Sequence, residues 1–415
     1  DIRDKEYFEK AGYKMKYDAT RKTTVDAWRE FRNKCSKRAL VIMPVQTGEL
    51  REFAIKNNLF VLNLNKELGD AGAGQNISLL EEVLAWLEPN APVYGWEQGV
   101  SEDQFVARVS KSGHPMIPCD WSYNHSLLSL LYEKGREQVL PRIFDPRSID
   151  FKKKKNFVSF FLSDGDNIQW MMQDFASRYY DVPEAEDVKM TFGLPVATLA
   201  MMAPVQFNNL MGLQKQNCSL MEMLGGGYYY VDTYSQDNNR KTNLRVAAKR
   251  LAVSMRQYQI KLLGIMAMDV KSEAAKEAYQ VYVDANDQLE GIVVLQYSPY
   301  AGGEGEVFWV TNKAGYDIPV ITVKYSLWDR IHEREGSPDF IASKLKEEAQ
   351  EESFSVVCVH AWSRFEGDTY GASAAKRCAE RLDDRFEAIN MQELVWRLRM
   401  SRRPEQTLDY LNKIY

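Results

Sequence analysis

Short apolar runs alternate with amphipathic stretches along the 415-residue chain, a pattern that points to an α/β fold with mainly parallel strands. In the first third, Ala39–Val45 (ALVIMPV), Leu59–Leu64 and Pro92–Trp96 read as strands, and Val25–Lys37, Glu49–Lys56 and Leu79–Leu87 carry apolar residues at helical spacing. A second series places strands at Val158–Leu162, Met190–Leu194, Gly227–Val231, Leu262–Met268, Gly291–Gln296, Pro319–Val323 and Phe354–Val359. Helices are predicted between them at Asn243–Tyr258, Glu273–Val283, Ser337–Ala349 and Ala372–Leu382. Such a series suits a (β/α) barrel, seven-stranded or distorted. The chain is longer than one core usually fills, and the charged, turn-rich stretch Phe144–Asn156 separates the two series. The expectation is a smaller N-terminal α/β domain over 1–150 and a C-terminal (β/α) barrel over 151–415.

Composition narrows the function more by exclusion than by choice. Fifty-three basic and 58 acidic side chains leave a net charge of −5, which offers no electrostatic reason to expect nucleic acid as a partner. The basic run Lys152–Lys155 reads as a solvated loop. Apolar stretches such as Leu194–Val205 are interrupted by proline and fall short of a membrane span. The sequence opens at Asp1 in a charged stretch without a signal-peptide core. Five dispersed cysteines form neither a disulfide framework nor a zinc pattern. With no GxGxxG after a strand, no Walker loop and no GxSxG elbow, no cofactor is expected, and no metal.

Residues 225–231 read Gly-Gly-Gly-Tyr-Tyr-Tyr-Val. Glycine permits positive φ and close approach, and tyrosine supplies a flat face with a polar tip. The segment therefore reads either as a kinked core strand or as a ligand platform.

This segment resembles the GxGYxYP signature of a bacterial family grouped with the glycoside hydrolases, with Gly225, Gly227, Tyr228 and Tyr230 matching and Val231 standing where the family has proline. Phe157–Trp170 (FVSFFLSDGDNIQW), Gln296–Trp328 ending in Tyr-Ser-Leu-Trp, Val357–Ser363, Pro92–Trp96 and Asn124–Ser126 carry further parts of the resemblance. It implies a two-domain carbohydrate-active protein exported from a bacterial cell, with a carbohydrate as its partner.

In (β/α) barrels the active site is built at the carboxyl ends of the strands, and that rule ranks the candidates. Asp164, Asp166 and Asn167 follow the FVSFFLS run, Asp232 follows the tyrosines, and Asp269 follows LLGIMAM. Glycoside hydrolysis uses two carboxylates across the scissile bond, and Asp166 with Asp232 is the expected pair, supported by Asp164. Asn167, Tyr228, Tyr230, Asp269, Tyr297, His360, Trp362, Glu304 from the glycine-rich loop and Glu97 after YGW are the expected substrate contacts. Glu97 and Asp120, the residue before Trp121, end strand-like runs of the N-terminal domain and are expected to line a cleft between the two domains. Two alternatives stay open: a barrel that binds carbohydrate without cleaving it, and a metal-dependent polysaccharide deacetylase using His360 with Asp164.

Overall fold

Four short strands, β1 (Leu40–Ile42), β2 (Phe60–Leu62), β3 (Val93–Gly95) and β4 (Met116–Ile117), pair in parallel in the order β2-β1-β3-β4. The structure is a computed structural model that describes residues 4–18, 21–43, 48–64, 77–96, 100–131, 138–163, 167–224, 226–237, 239–298, 300–331 and 334–415. Helices at Thr24–Phe31, Arg51–Asn57, Ile77–Trp86 and Glu102–Lys111 flank this smaller sheet. Parallel strands need such crossovers, and helices on the faces explain why β1 reads as unbroken Leu-Val-Ile.

The larger sheet contains β5 (Asn156–Ser163), β6 (Thr191–Leu194), β7 (Ser219–Met223), β8 (Leu262–Ala267), β9 (Gly291–Gln296), β10 (Val307–Thr311), β11 (Asp317–Thr322), β12 (Tyr325–Leu327), β13 (Phe354–His360) and β14 (Phe386–Ala388). Their order is β10-β11-β9-β8-β7-β6-β5-β13-β12, with β14 also beside β5. Every pairing is parallel except the β10–β11 hairpin, and the sheet curls into a half-barrel. The fold is thus α/β, with a small parallel sheet followed by a large curled one. Among the described residues no helix is long and apolar enough to cross a membrane.

Both faces of the large sheet are buried. Along β5, Val158, Phe160 and Leu162 pack into one apolar cluster on one face, while Phe157 and Phe161 pack on the other face with Met221, Met223, Val293, Leu295 and Cys358. All eight residues of β5 are buried, which is why its sequence lacks polar alternation.

One predicted strand lies elsewhere. The ladder runs through β7 at Ser219–Met223, not through Gly227–Val231. After β7 the chain bulges and returns to the edge of β8, where Tyr230 bridges Met266 and the Val231 amide donates to the Met266 carbonyl at 2.9 Å. A proline at 231 would lack that donor, so valine adds a bond here.

The same segment joins the two sheets. Tyr228 and Met116 of β4 exchange backbone hydrogen bonds of 2.7 and 3.0 Å. Gly227, at φ +145, lies so close to the smaller sheet that a Cβ there would stand 2.5 Å from the Pro115 Cβ. The Tyr228 hydroxyl donates to Glu102 at 2.8 Å, the Tyr230 amide donates to Ser110 Oγ at 3.1 Å, and the Tyr229 and Tyr282 hydroxyls pair. Tyr234 donates to Asn90 at 2.7 Å. The glycine-tyrosine motif is a seam, with all three tyrosines buried.

Candidate functional site

The carboxyl ends of both sheets open onto one cleft of about 720 Å³. Five of the chain's nine tryptophans line it: Trp96, Trp121, Trp170, Trp328 and Trp362. Trp96 follows β3 directly, and Gly95 places it there. At φ +108, a Cβ on residue 95 would fall 1.9 Å from the Ile42 carbonyl oxygen, so only glycine lets β3 end against β1 in this way.

The floor is aromatic. Tyr300 stacks on Trp328 at 5.1 Å between ring centres, and Trp328 stacks on His360 at 4.7 Å with the rings 16° apart. Tyr297 and Tyr300 follow β9, Trp328 follows β12, and His360 ends β13. The Trp170 and Trp362 rings meet at 4.8 Å, with Trp362 46% exposed and so able to present a face to a ligand. His360 is fixed through Nδ1, which lies 2.9 Å from Ser363 Oγ.

The acids of the cleft come mainly from the smaller sheet. Asp120 follows β4 and is joined to the larger sheet through Gln169, whose amide donates to Asp120 Oδ1 at 3.1 Å and to Asn167 Oδ1 at 2.8 Å. The Ile168 amide also donates to the Pro118 carbonyl at 3.1 Å, so the 118–120 and 167–169 stretches lie side by side. Burial raises the Asp120 carboxyl above the usual carboxylate range, although the backbone and the Gln169 amide pull the other way. Glu102, in the first turn of its helix, accepts from Tyr228, and Asp174 pairs with Arg178 at 2.8 Å. Arg178, Arg330 and Arg364 complete the lining from the opposite side.

The structure brings Asn167, Tyr297, His360 and Trp362 together in this cleft. Tyr228 and Tyr230 lie behind it, Tyr228 stacked at 6.2 Å on Trp96 and Tyr230 at 5.7 Å from Tyr297. Asp232 does not line the cleft. Its carboxylate accepts the amides of Met268 at 3.1 Å and Asp269 at 2.9 Å, which anchors the end of β8. Burial raises its carboxyl, opposed by those same amides. Asp269 is exposed and caps its own turn by accepting the Lys271 amide at 2.9 Å. Glu304 is exposed and shares Lys271 with Glu306, each pair at 2.9 Å, and the lysine holds the Glu304 carboxyl below its ordinary value. Asp164, Asp166 and Glu97 lie outside the described residues.

Residues that strand-end reasoning passed over include Glu102, Trp170, Gln169, Arg330 and Arg364. A signal for two of them was present: Trp328-Asp-Arg330 and Trp362-Ser-Arg364 repeat one pattern after two strands.

A second cavity, about 440 Å³, lies behind the seam and is mostly apolar, with Phe53, Ile117, Met202 and Leu251 among its walls. Among the described residues no carboxylate lines it, and burial lowers the pKa of His125, on its wall, to about 4, so this imidazole is neutral. The acids and exposed aromatic faces belong to the larger cleft.

Residues 154–399 match the GxGYxYP putative glycoside hydrolase C-terminal domain, and residues 37–130 match the GxGYxYP third domain. The chain belongs to the GxGYxYP family. Its fold is similar to that of a putative hydrolase from Bacteroides thetaiotaomicron VPI-5482, with a TM-score of 0.78 and 17% sequence identity over 97% of this chain and 74% of that one. No match is found among curated proteins.

Proposed function

We propose that the protein hydrolyses glycosidic bonds in the tryptophan-lined cleft. The observation that carries this is the meeting of five tryptophans with a desolvated carboxyl, Asp120, at the carboxyl ends of two parallel sheets. Flat apolar faces suit sugar rings, and a carboxyl whose proton affinity is raised by burial suits protonation of a glycosidic oxygen. The names of the family's C-terminal domain and of the Bacteroides protein support hydrolysis.

Asp120 protonates the departing oxygen as the bond to the anomeric carbon breaks, and water supplies the hydroxyl that replaces it. Asp166 directly precedes Asn167, and Asn167 shares the Gln169 amide with Asp120. That adjacency makes Asp166, with Asp164, the second carboxylate, acting as nucleophile or as the base that activates water. Asp232 holds the end of β8 in place. Asn167, Tyr297, His360 and Trp362 contact the sugar, and Tyr228 and Tyr230 back the wall.

The barrel belongs to the same proposal. Only Val323 and Lys324 separate β11, paired with β9, from β12, paired with β13. Read as one bent strand, 317–327 carries the curled sheet round into a seven-stranded (β/α) ring whose carboxyl ends face the cleft.

Incubating the protein with neutral and acidic oligosaccharides and following product release tests the assignment. Asp120→Asn and Asp166→Asn are expected to lower turnover by about 10²–10⁴-fold while far-UV dichroism stays unchanged. Full activity in Asp120→Asn removes it as the acid, and saccharide binding without product from any substrate replaces the hydrolase with a binding protein.

A further inference from the structure

Adjacent parallel strands β12 and β13 end in the same three-residue pattern. Trp328-Asp329-Arg330 follows one and Trp362-Ser363-Arg364 follows the other, and all four tryptophan and arginine side chains line the cleft. The middle residues lock the loops together. Ser363 Oγ donates to Asp329 Oδ1 at 3.2 Å and accepts the Asp329 amide at 3.1 Å, while the Arg364 amide donates to Asp329 Oδ2 at 2.9 Å. The two arginines are therefore carried on one cross-linked platform, each two residues beyond an aromatic ring.

A third guanidinium joins them. Arg364 lies 3.7 Å from the centre of the Tyr370 ring, and Arg178 lies 5.6 Å from the same ring, so one tyrosine orients both cations. Their carboxylate partners leave donors unused. Arg178 pairs with Asp174 at 2.8 Å, and Arg364 reaches Asp368 only at 3.5 Å across a carboxylate that is 79% exposed. Such a surface pair is weak, and a guanidinium has five N–H donors. Among the described residues no carboxylate forms an ion pair with Arg330. Among the described residues the cleft's arginines all come from the larger-sheet side, as does Asp174, while Glu102 and Asp120 come from the smaller-sheet side.

We infer that this Trp-x-Arg pair is an oxyanion subsite, and that the saccharide bound in the cleft is acidic, carrying a carboxylate or a sulfate ester beside the ring that packs on Trp362. The subsite rests on the cleft being a saccharide site, as proposed above. Planar guanidinium forks match a carboxylate or sulfate in two-point contact, which a lysine would not do. Placing an aromatic face two residues from each fork lets one sugar residue engage both.

Isothermal titration of the full chain with inorganic sulfate, uronic-acid oligosaccharides, sulfated oligosaccharides and their neutral counterparts tests the inference, with Arg330→Gln, Arg364→Gln and the double variant alongside. One acidic series is expected to bind at least about tenfold more tightly than its neutral counterpart, an advantage that falls with added salt, and whether uronates or sulfates lead identifies the anion. The double variant should lose that advantage and leave neutral binding unchanged; Arg330→Gln, at an exposed position, should lose part of it even if Arg364→Gln folds poorly. Equal binding of acidic and neutral saccharides, or equal weakening of both by the variants, overturns the subsite. Sulfate binding that depends on Arg330 and Arg364, with no saccharide of either kind bound, keeps the oxyanion site and removes the saccharide assignment.

Discussion

The glycine-tyrosine seam and the two Trp-x-Arg loops are made from similar materials and do opposite things. Each follows a strand of the larger sheet, and each is rich in aromatic rings. At the end of β7 the smaller sheet lies across the chain, and Tyr228, Tyr229 and Tyr230 are at most 3% exposed. At the ends of β12 and β13 nothing comparable among the described residues covers Trp362, which is 46% exposed. The covering element decides whether an aromatic strand end becomes a buried seam or an open face. The residues that mark the family in sequence are thus engaged in holding the two sheets together, and the exposed aromatic faces lie elsewhere around the same rim.

Gly227→Val should break the seam and gives the largest expected effect. The new side chain must displace Pro115 and Met116, and a β-branched residue at φ +145 is strained whatever the space. A loss of at least about 3 kcal/mol in denaturant unfolding is expected. A variant as stable as the parent would mean that the sheets do not meet closely at this point.

Glu222 tests a subtler part of the comparison, because it sits on β7 just before the seam and is buried, as Asp120 partly is in the cleft. Desolvation pushes its carboxyl up to about 8 from an ordinary 4.5, with only the Ala197 amide, at 2.9 Å, working against it. Between those values the folded state keeps a proton that the unfolded chain releases, so stability falls as pH rises through the window and levels off above about 8. Glu222→Gln should remove that slope and stabilise the protein at pH 8 by on the order of 2–4 kcal/mol, read from melting curves across pH. An unchanged slope would show that the carboxyl ionises freely in the folded state. Substitution of Asp120, by contrast, should act on the pH profile of turnover.

Much of the frame was legible because parallel strands buried on both faces leave long apolar runs. β5, β6, β8, β9, β11 and β13 fall where such runs stand in the sequence. β7 was not legible: Glu222 interrupts its apolar run, and the nearby glycines and tyrosines read more strongly as a strand. β4, only two residues long, carries too little pattern to see. Strand-end reasoning singled out Asn167, Tyr297, His360 and Trp362, which line the cleft, since position after a strand is a local property. It could not separate Tyr228 from Trp362, because burial under another sheet is a long-range fact. The Trp-x-Arg repeat needed the pairing of β12 with β13 before its two copies could be seen as neighbours.

Trp362→Ala sharpens the contrast with a smaller effect on stability. The ring is 46% exposed and touches Trp170 from one side, so its removal forfeits one aromatic contact and partial burial, about 2 kcal/mol. If the loop is a binding face, that same change should weaken saccharide binding at least about tenfold while the melting temperature moves little. Tyr228→Phe is the matched control on the seam. It removes the 2.8 Å donation to Glu102, should cost about 1 kcal/mol of stability, and should leave saccharide affinity within twofold of the parent. A Tyr228→Phe variant that loses affinity as Trp362→Ala does would move the seam tyrosines into the site, because a hydroxyl that only braces two sheets has no means of distinguishing bound from free sugar.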